Sequence, residues 1–286
     1  MASQTSLLSY ETCAHAIAGS VGSMFAMSVF YPLDTVKFRK QLEEVGDTDD
    51  DTSTFAALYK ILQSEGLSAL YAGITPCLTS LGTSSFVYFY TFHGLKKWMH
   101  TSTQNDLFIG IAAGVINVLI STPLWVVNSR LKVKENVPYT GLVDGIIYVG
   151  RNEGLGRLWS GLCPSLILVS NPAVQFAVYE YLKRRISVKS SFNVFLMGAV
   201  AKAIATVVTY PLQLAQARLR YGKEGKMGLA ALLLCILKKG GPKALFHGLE
   251  AKLYQTVLGA ALMYVAYEKI VRYVLYILMH GRLHMK

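Results

Sequence analysis

One lysine inside an otherwise uncharged apolar segment is the residue of this sequence whose chemistry stands out. Lys202 lies nine residues before Pro211, and every residue between the two is uncharged. A lysine at mid-membrane depth costs several kcal/mol unless its ammonium group faces water, a partner or a ligand. We expect Lys202 to bind a phosphate group of an anionic substrate. The alternative is a structural lysine that snorkels or contacts a backbone carbonyl.

Enzymatic chemistry has no comparable support in the sequence. The chain has no HExxH, GxSxG or P-loop motif. Its six histidines fall in different segments without ligand spacing, and its four cysteines form no CxxC pair. We therefore expect no catalytic residues, no metal site and no bound prosthetic group.

The composition indicates a membrane protein with several spans. Hydrophobic residues make up 52% of the chain and charged residues 16%, whereas soluble domains carry about 25% charged residues. Residues 73–92 and 107–127 form uncharged stretches of 20 and 21 residues, and about 20 apolar residues cross a bilayer. The net charge of +11 suits contacts with anionic lipid headgroups. Because the basic residues lie at segment ends and form no exposed basic helix, nucleic-acid binding is not expected.

An internal repeat explains how these segments are organised. Pro32, Pro123 and Pro211 are separated by 91 and 88 residues, and an arginine follows each proline by seven residues. A second landmark follows each proline, as EGLSALYAG at 65–73, EGLGRLWSG at 153–161 and GGPKALFHG at 240–248. We predict one domain, 1–286, with repeats at about 9–99, 105–186 and 191–280.

Each repeat predicts the same elements. A long helix kinked at its proline is followed by a polar loop, a short amphipathic helix, a glycine-containing turn and a second long helix. The expected fold class is an all-α integral membrane protein with six transmembrane helices in three homologous two-helix repeats. The repeats surround a pseudo-threefold axis and a central cavity, and both termini lie on one side.

The segments YPLDTVKFR, TPLWVVNSR and YPLQLAQAR resemble the signature of the mitochondrial carrier family, solute carrier 25. That signature is Pro-x-[Asp/Glu]-x-x-[Lys/Arg]-x-[Lys/Arg], and the resemblance covers essentially the whole chain. It implies the mitochondrial carrier fold and alternating-access transport through a cavity gated at both ends. The implied inner gate comprises Asp34, Lys37, Trp125, Asn128, Gln213 and Gln216. The implied outer gate comprises His93, Lys96, Glu180, Lys183 and Glu268.

The inner gate departs from the family pattern. Only Asp34 and Lys37 are charged among its six positions, and both lie on the first odd-numbered helix. We predict that neither finds an ionic partner on another helix, so that Asn128 and Gln216 offer only amide hydrogen bonds. A neutral hydrogen bond contributes about 1 kcal/mol net, against about 1.5–3 kcal/mol for one to a charged group. The inner gate is therefore predicted to be weak.

The resemblance also implies a level of substrate contacts on the even-numbered helices. These positions are Ser80, Leu81, Ile167, Leu168, Gln255 and Thr256. Apolar and amide side chains at that level suit a large, partly aromatic ligand. Asn171 and Gln175 are further candidates, although Asn171 could instead satisfy backbone groups freed by Pro172.

The segments FVYFYTF, TPLWVVN, NPAVQF and GAVAKAIATVVTYPLQ resemble family members that carry CoA, FAD, FMN, NAD and adenine nucleotides across the peroxisomal membrane. This implies a monomeric, multi-pass peroxisomal membrane protein with cytosolic termini, inserted by the peroxisomal membrane-protein import machinery. The alternatives are a mitochondrial inner-membrane carrier for FAD/folate, NAD or pyrimidine nucleotides, and an adaptor that keeps the carrier fold but does not transport.

Overall fold

A computed structural model describes residues 24–43, 53–98, 106–133, 137–185, 191–222 and 227–262, and these ranges contain helices and no strand. The helices are α1 (24–29), α2 (Tyr31–Leu42), α3 (Thr54–Glu65), α4 (Leu67–Leu70), α5 (Ile74–Trp98), α6 (Asp106–Val133), α7 (Leu142–Asn152), a 3-10 helix (Leu155–Trp159), α8 (Leu162–Leu168), α9 (Asn171–Arg185), α10 (Ser191–Tyr221), α11 (Leu229–Ala244) and α12 (249–262). The all-α prediction is confirmed.

The order of long and short helices repeats three times, as predicted. The odd-numbered spans are α1–α2, α6 and α10, the even-numbered spans are α5, α8–α9 and α12, and α3, α7 and α11 connect them. Within the described residues, segments 108–133, 155–185 and 193–221 are long and apolar enough to cross a membrane. The first predicted span is described only from residue 24, and the sixth only as far as residue 262.

The three signature prolines act differently on their helices. Pro32 lies in the first turn of α2, directly after a break at Phe30, whereas Pro123 and Pro211 lie inside continuous helices. Pro123 cannot donate a hydrogen bond to the carbonyl of Leu119, four residues earlier. The indole Nε1 of Trp159 donates to that carbonyl at 2.9 Å. Trp159, a residue of the second landmark of this repeat, thus supplies the hydrogen bond that Pro123 cannot donate.

Glycines at the end of the second landmark allow close helix contacts. Gly73, Gly161 and Gly248 have φ values of 73°, 78° and 79°. A Cβ atom there would lie 3.2 Å from Lys132 Cα, 3.1 Å from Arg220 Cγ and 3.3 Å from Lys40 Cβ, respectively. Each even-numbered span therefore begins in contact with the last turns of an odd-numbered one. We call this end of the bundle the inner end.

Arginine–glutamate pairs fasten the connecting helices to the bundle in the first two repeats. Arg39 pairs with Glu65 and Arg130 with Glu153, each with a shortest N–O distance of 2.5 Å. Gly240 occupies the corresponding position of the third repeat, so Arg218 has no such glutamate. Its guanidinium instead donates to the carbonyls of Gln41 at 2.9 Å and Glu43 at 2.8 Å, at the end of α2.

Candidate functional site: the inner gate and the cavity

Asp34 is the centre of a buried charged cluster at the inner end. The residue is 4% exposed, and its carboxylate forms ion pairs with Lys37 on α2 and with Lys132 on α6. Gln255 of α12 donates from Nε2 to Asp34 Oδ1 at 3.1 Å. We call these four residues the gate cluster. It joins helices from all three repeats.

The ion pair between Asp34 and Lys132 corrects the prediction that no partner on another helix is available. Asn128, the signature position, is buried and carries no charge. Lys132 lies one helical turn further along α6 and reaches Asp34 with its longer side chain. Its ammonium group also lies 4.9 Å from the ring centroid of Tyr31, a cation–π contact. The premise for a weak inner gate is therefore wrong at this junction.

A second basic residue joins the second and third repeats. The guanidinium carbon of Arg220 lies 5.8 Å from the ring centroid of Trp125. Arg220 also donates from Nη2 to Ser165 Oγ at 3.2 Å, and Gln216 donates to the same oxygen at 2.8 Å. The predicted gate residues Trp125 and Gln216 thus both take part in contacts between helices.

The junction between the third and first repeats is held by the Arg218 bonds to the end of α2. A hydrogen bond from Gln41 Nε2 to the Tyr210 hydroxyl, 3.2 Å long, lies beside them. A cation near the C-terminus of a helix also interacts favourably with the helix dipole. All three junctions are therefore linked at the inner end by a basic side chain seven or nine residues after a signature proline.

Lys132 and Arg220 were not among the sequence-predicted gate residues, although the sequence contains a signal for them. They occupy the positions that correspond to Gln41 in the first repeat. Of the predicted residues, Lys37 pairs with Asp34 on the same helix, and Gln213 donates to Thr209 Oγ1 of its own helix at 3.0 Å. The gating roles of the predicted set remain predictions.

The predicted outer-gate residues make different contacts. Lys96 pairs with Asp106 at 2.8 Å, at the start of α6. Lys183 pairs with Glu180 at 3.7 Å within α9. His93 packs edge-on against Phe92 with ring centroids 5.5 Å apart, and Glu268 lies outside the described residues. Among the residues that the structure describes, no two outer-gate residues on different helices pair, whereas side chains of different repeats are in contact at the inner end.

A cavity of about 450 Å³ lies between the second, third, fourth and fifth spans. Its lining comprises Tyr88, Phe92, Asp106, Gly110, Ile111, Gly114, Asn117, Val118, Ser165, Leu168, Val169, Pro172, Ala173 and Gln216. Two aromatic rings, Tyr88 and Phe92, face one another in it with centroids 6.2 Å apart. Asn117 exchanges hydrogen bonds with Ser84 of the neighbouring helix at 3.0–3.1 Å. Neither residue of this pair was predicted from the sequence.

The predicted substrate contacts divide between cavity and helix packing. Leu168 lines the cavity. Ser80 and Thr256 are buried, and their hydroxyls donate to carbonyls one turn earlier on their own helices, each at 2.8 Å. Gln255 belongs to the gate cluster. These hydroxyls are therefore not directed at a ligand in this conformation.

The remaining predicted contacts lie at more accessible positions. Leu81 and Gln175 are half-buried, and Ile167 is 45% exposed. Asn171 begins α9, and its amide donates to Thr209 Oγ1 of α10 at 3.0 Å. The amide thus joins two helices and does not bond to a backbone group freed by Pro172.

Lys202 is exposed on α10. Within the described part of the chain its ammonium group makes no hydrogen bond and no ion pair, and its carbonyl accepts the ordinary bond from Thr206 Oγ1 at 2.8 Å. The predicted contact between Lys202 and a substrate phosphate remains a prediction.

Comparisons with known proteins agree with this architecture. The model of the mitochondrial carrier protein family matches residues 9–103, 100–190 and 187–277. The chain is 47% identical over 292 residues to the peroxisomal membrane protein PMP34 of Mus musculus, which covers 93% of this chain and 94% of that protein. It is 31% identical over 293 residues to the peroxisomal adenine nucleotide carrier 1 of Glycine max, with 91% of each chain covered.

A further relative is the peroxisomal nicotinamide adenine dinucleotide carrier of Arabidopsis thaliana, 28% identical over 312 residues, with 90% of this chain and 94% of that protein covered. Members of the matched family are membrane transporters, which confirms the prediction of a transporter in place of an enzyme. Three successive matches along nearly the whole chain establish that it belongs to the mitochondrial carrier family.

Proposed function

We propose that this protein exchanges nucleotide-type cofactors between the cytosol and the peroxisomal matrix by alternating access. The expected substrates are CoA, FAD, FMN, NAD and adenine nucleotides. One observation carries the proposal: three basic side chains link the repeats at the inner end, while a cavity with aromatic and amide groups lies between the spans. The peroxisomal relatives that carry adenine nucleotides and nicotinamide adenine dinucleotide support the choice of substrate class.

The cavity residues suit the two parts of such a substrate. A planar base or flavin ring packs well against aromatic side chains such as Tyr88 and Phe92. The amides of Asn117 and Gln216 can donate to and accept from the polar edge of that ring. Specific polar groups in an otherwise apolar cavity are typical of small-molecule sites.

Passage to the matrix requires the inner end to open. Opening separates Asp34 from Lys132, Arg220 from Trp125, and Arg218 from the end of α2. A ligand can drive this change only if it binds the open or intermediate state more tightly than the closed one. The outer-gate residues Lys96, Glu180 and Lys183 would then form new pairs that close the opposite side.

The membrane setting is part of the proposal. The basic excess of the chain suits contacts with anionic headgroups, and a single chain can enclose the cavity, so we expect a monomer. Cytosolic termini and insertion by the peroxisomal import machinery follow from the same assignment.

Transport by the purified full-length chain in liposomes tests the proposal. Vesicles preloaded with CoA, FAD, FMN, NAD, AMP or ADP are given labelled AMP outside, and we expect uptake only with a loaded counter-substrate. Absence of uptake with every internal compound contradicts transport and favours an adaptor role. Imaging of a tagged chain tests the location, and a mitochondrial signal contradicts the peroxisomal assignment.

A further inference from the structure

A lysine that the sequence motifs do not include lies beside the gate cluster. Lys252 is on α12, three residues before Gln255, and so lies on the same side of the helix one turn earlier. Gln255 donates to Asp34 at 3.1 Å. The ammonium group of Lys252 interacts electrostatically with Lys37, Asp34, Lys202 and Lys132. Lys252 therefore lies one helical turn from a member of the gate cluster and interacts electrostatically with the exposed lysine of α10.

The charges of this region do not balance. Lys37 and Lys132 both form ion pairs with Asp34. Neither Lys252 nor Lys202 forms a hydrogen bond or ion pair through its ammonium group with any residue that the structure describes. The groups that interact with Lys252 are three further ammonium groups and the carboxylate of Asp34, and that carboxylate is already paired with two of the three.

Such an excess of positive charge is costly inside a membrane protein unless an anion offsets it. Removing an unpaired ammonium group from water without a counter-charge is unfavourable. Lys252 is partly buried and Lys202 lies within a membrane-spanning helix, so neither is an ordinary solvated surface lysine. A phosphate monoester or diphosphate supplies the missing negative charge and several hydrogen-bond acceptors.

We infer that Lys252 and Lys202 together bind the phosphate group of a substrate next to Asp34. This inference rests on the proposed function and deepens it, because it names the residues that distinguish a nucleotide from its uncharged nucleoside. The aromatic and amide residues of the cavity are left to bind the base. The phosphate and the carboxylate of Asp34 then compete for the same positive charges, so binding weakens the hold of Asp34 on Lys132 and favours opening of the inner end.

Binding is tested without transport, by the thermal stabilisation of the purified full-length protein in detergent. A ligand that binds the folded state raises the unfolding midpoint, and the rise grows with the ratio of its concentration to its dissociation constant. We expect ADP to stabilise the parent protein at concentrations at which adenosine does not. Lys252→Gln and Lys202→Gln should each weaken the apparent affinity for ADP about tenfold or more, since a hydrogen bond to a charged group is lost. Lys252→Arg should retain most of it.

Lys239→Gln is the matched control. Lys239 is an exposed lysine of α11, outside the cavity and the gate cluster. The Lys239→Gln variant has the same change in net charge but should leave the response to ADP unchanged. An equal loss in Lys252→Gln, Lys202→Gln and Lys239→Gln means that net charge alone attracts ADP, and overturns the inference. If Lys252→Gln does not fold, Lys202→Gln decides the question by itself.

Asp34→Asn tests the competition. Without its carboxylate, the ammonium groups of Lys37 and Lys132 also become free to interact with a phosphate, and the apparent affinity for ADP should rise several-fold. An unchanged or lower affinity contradicts the competition between Asp34 and the phosphate.

The phosphate of a membrane lipid is the other source of the same chemistry. Addition of an anionic phospholipid in place of ADP distinguishes the two. Stabilisation by lipid that depends on Lys252, together with no stabilisation by ADP, overturns the inference. If the parent protein binds ADP in this way but exchanges no nucleotide in liposomes, the inference stands and the proposed transport fails. If exchange occurs and both Gln variants bind ADP like the parent protein, only the inference fails.

Discussion

At the scale of single residues, the partner of Asp34 decides how the inner end closes. The family signature places Asp34 in the gate but assigns its partner to position 128, where this chain has asparagine. Lys132, one helical turn further along α6, pairs with Asp34 instead, and its ammonium group lies over the ring of Tyr31. Motif spacing identifies which residues share a helix face, but it does not give the reach of a long flexible side chain. The sequence therefore predicted Asp34 as a gate residue but not its ion-pair partner, Lys132.

Loss of Lys132 should destabilise the inner-closed protein. Removing one partner of a buried ion pair leaves an uncompensated charge and costs about 3–5 kcal/mol, and both side chains here are 6% exposed. We expect Lys132→Met to lower the unfolding midpoint strongly. Asp34→Asn combined with Lys132→Met should cost less than the sum of the two single changes. Thermal unfolding of the purified protein measures this.

Lys183→Met provides the comparison, because its pair with Glu180 lies within one helix and its side chain is 55% exposed. Exposed pairs contribute about 0–1 kcal/mol, so little change is expected. Fully additive effects of Asp34→Asn and Lys132→Met contradict a direct coupling between the two residues.

The substrate-contact residues show a second limit at this scale. Ser80 and Thr256 occupy the implied contact level, yet their hydroxyls bond to carbonyls of their own helices. Serine and threonine inside helices commonly do so when no other acceptor is near. The sequence gives the level of such a residue but not the direction of its hydroxyl. In contrast, Ser84 and Asn117 could be recognised only after the second and third spans were placed side by side.

At the scale of helices, the repeat predicted more than the individual segments did. The three copies of the two landmarks predicted the order of long and short helices, and the structure follows that order. The break at Phe30, before Pro32, was not predicted. The corresponding prolines of the other two repeats, Pro123 and Pro211, lie within continuous helices. Arg39 and Arg130 attach connecting helices to the bundle, while Arg218 attaches α10 to α2, because its repeat lacks the glutamate.

The Arg39–Glu65 pair should make stability depend on pH in the acid range. The Arg39 guanidinium holds the pKa of Glu65 below its ordinary value of 4.5. A carboxyl whose pKa is lower in the folded state stabilises the fold above its unfolded pKa and ceases to do so as the pH falls through the folded value. Glu65→Gln should therefore reduce the loss of stability of the protein below about pH 4.5.

The unfolding midpoint of the parent protein and of Glu65→Gln, measured from pH 6 to the acid limit of folding, tests this. The two curves should converge as the pH falls. A constant difference at every pH excludes the pair as the source. The effect should be small, since Glu65 is 45% exposed and exposed ion pairs contribute little.

Two glycines of the second landmark allow the stability cost of backbone strain to be measured separately from the cost of lost close packing. Gly66 and Gly73 have similar positive φ values, 82° and 73°. Nothing lies within 4 Å of a Cβ placed on Gly66, whereas a Cβ on Gly73 would lie 3.2 Å from Lys132 Cα. Gly66 has φ 82° and ψ 176°, a conformation essentially restricted to glycine, so Gly66→Ala should cost about 1–3 kcal/mol for backbone strain alone. Gly73→Ala should cost about 1–3 kcal/mol more, because α5 and α6 must move apart.

Thermal unfolding of the two alanine variants measures the difference. Equal midpoints contradict the close approach of α5 to α6 at Gly73. A larger effect of Gly73→Ala on transport than on stability indicates that this contact also takes part in gating.

At the scale of the whole molecule, the sequence predicted the symmetry and the structure shows how this chain departs from it. The repeats have the same helices, but each junction is closed differently: by an ion pair, by a cation–π contact, and by hydrogen bonds to backbone carbonyls. Composition and repeat spacing are properties of one chain segment at a time, so they predict the helices of each repeat and their order. Junctions depend on pairs of segments about ninety residues apart, and their contacts are set by packing.

The asymmetry leads to a prediction about opening. Cys77 is fully buried at the start of α5 and interacts electrostatically with Lys132, Asp34 and Lys37. In a variant with Cys13, Cys163 and Cys235 replaced by serine, Cys77 should react slowly with a water-soluble maleimide while the inner end is closed. ADP should accelerate the reaction, because opening requires the gate cluster to separate, and adenosine should not. Asp34→Asn should accelerate it without any ligand, since the ion pair that joins α2 to α6 is lost. Equally slow reaction with ADP, and with Asp34→Asn, contradicts a gate at this ion pair and moves the closing contacts to the other two junctions.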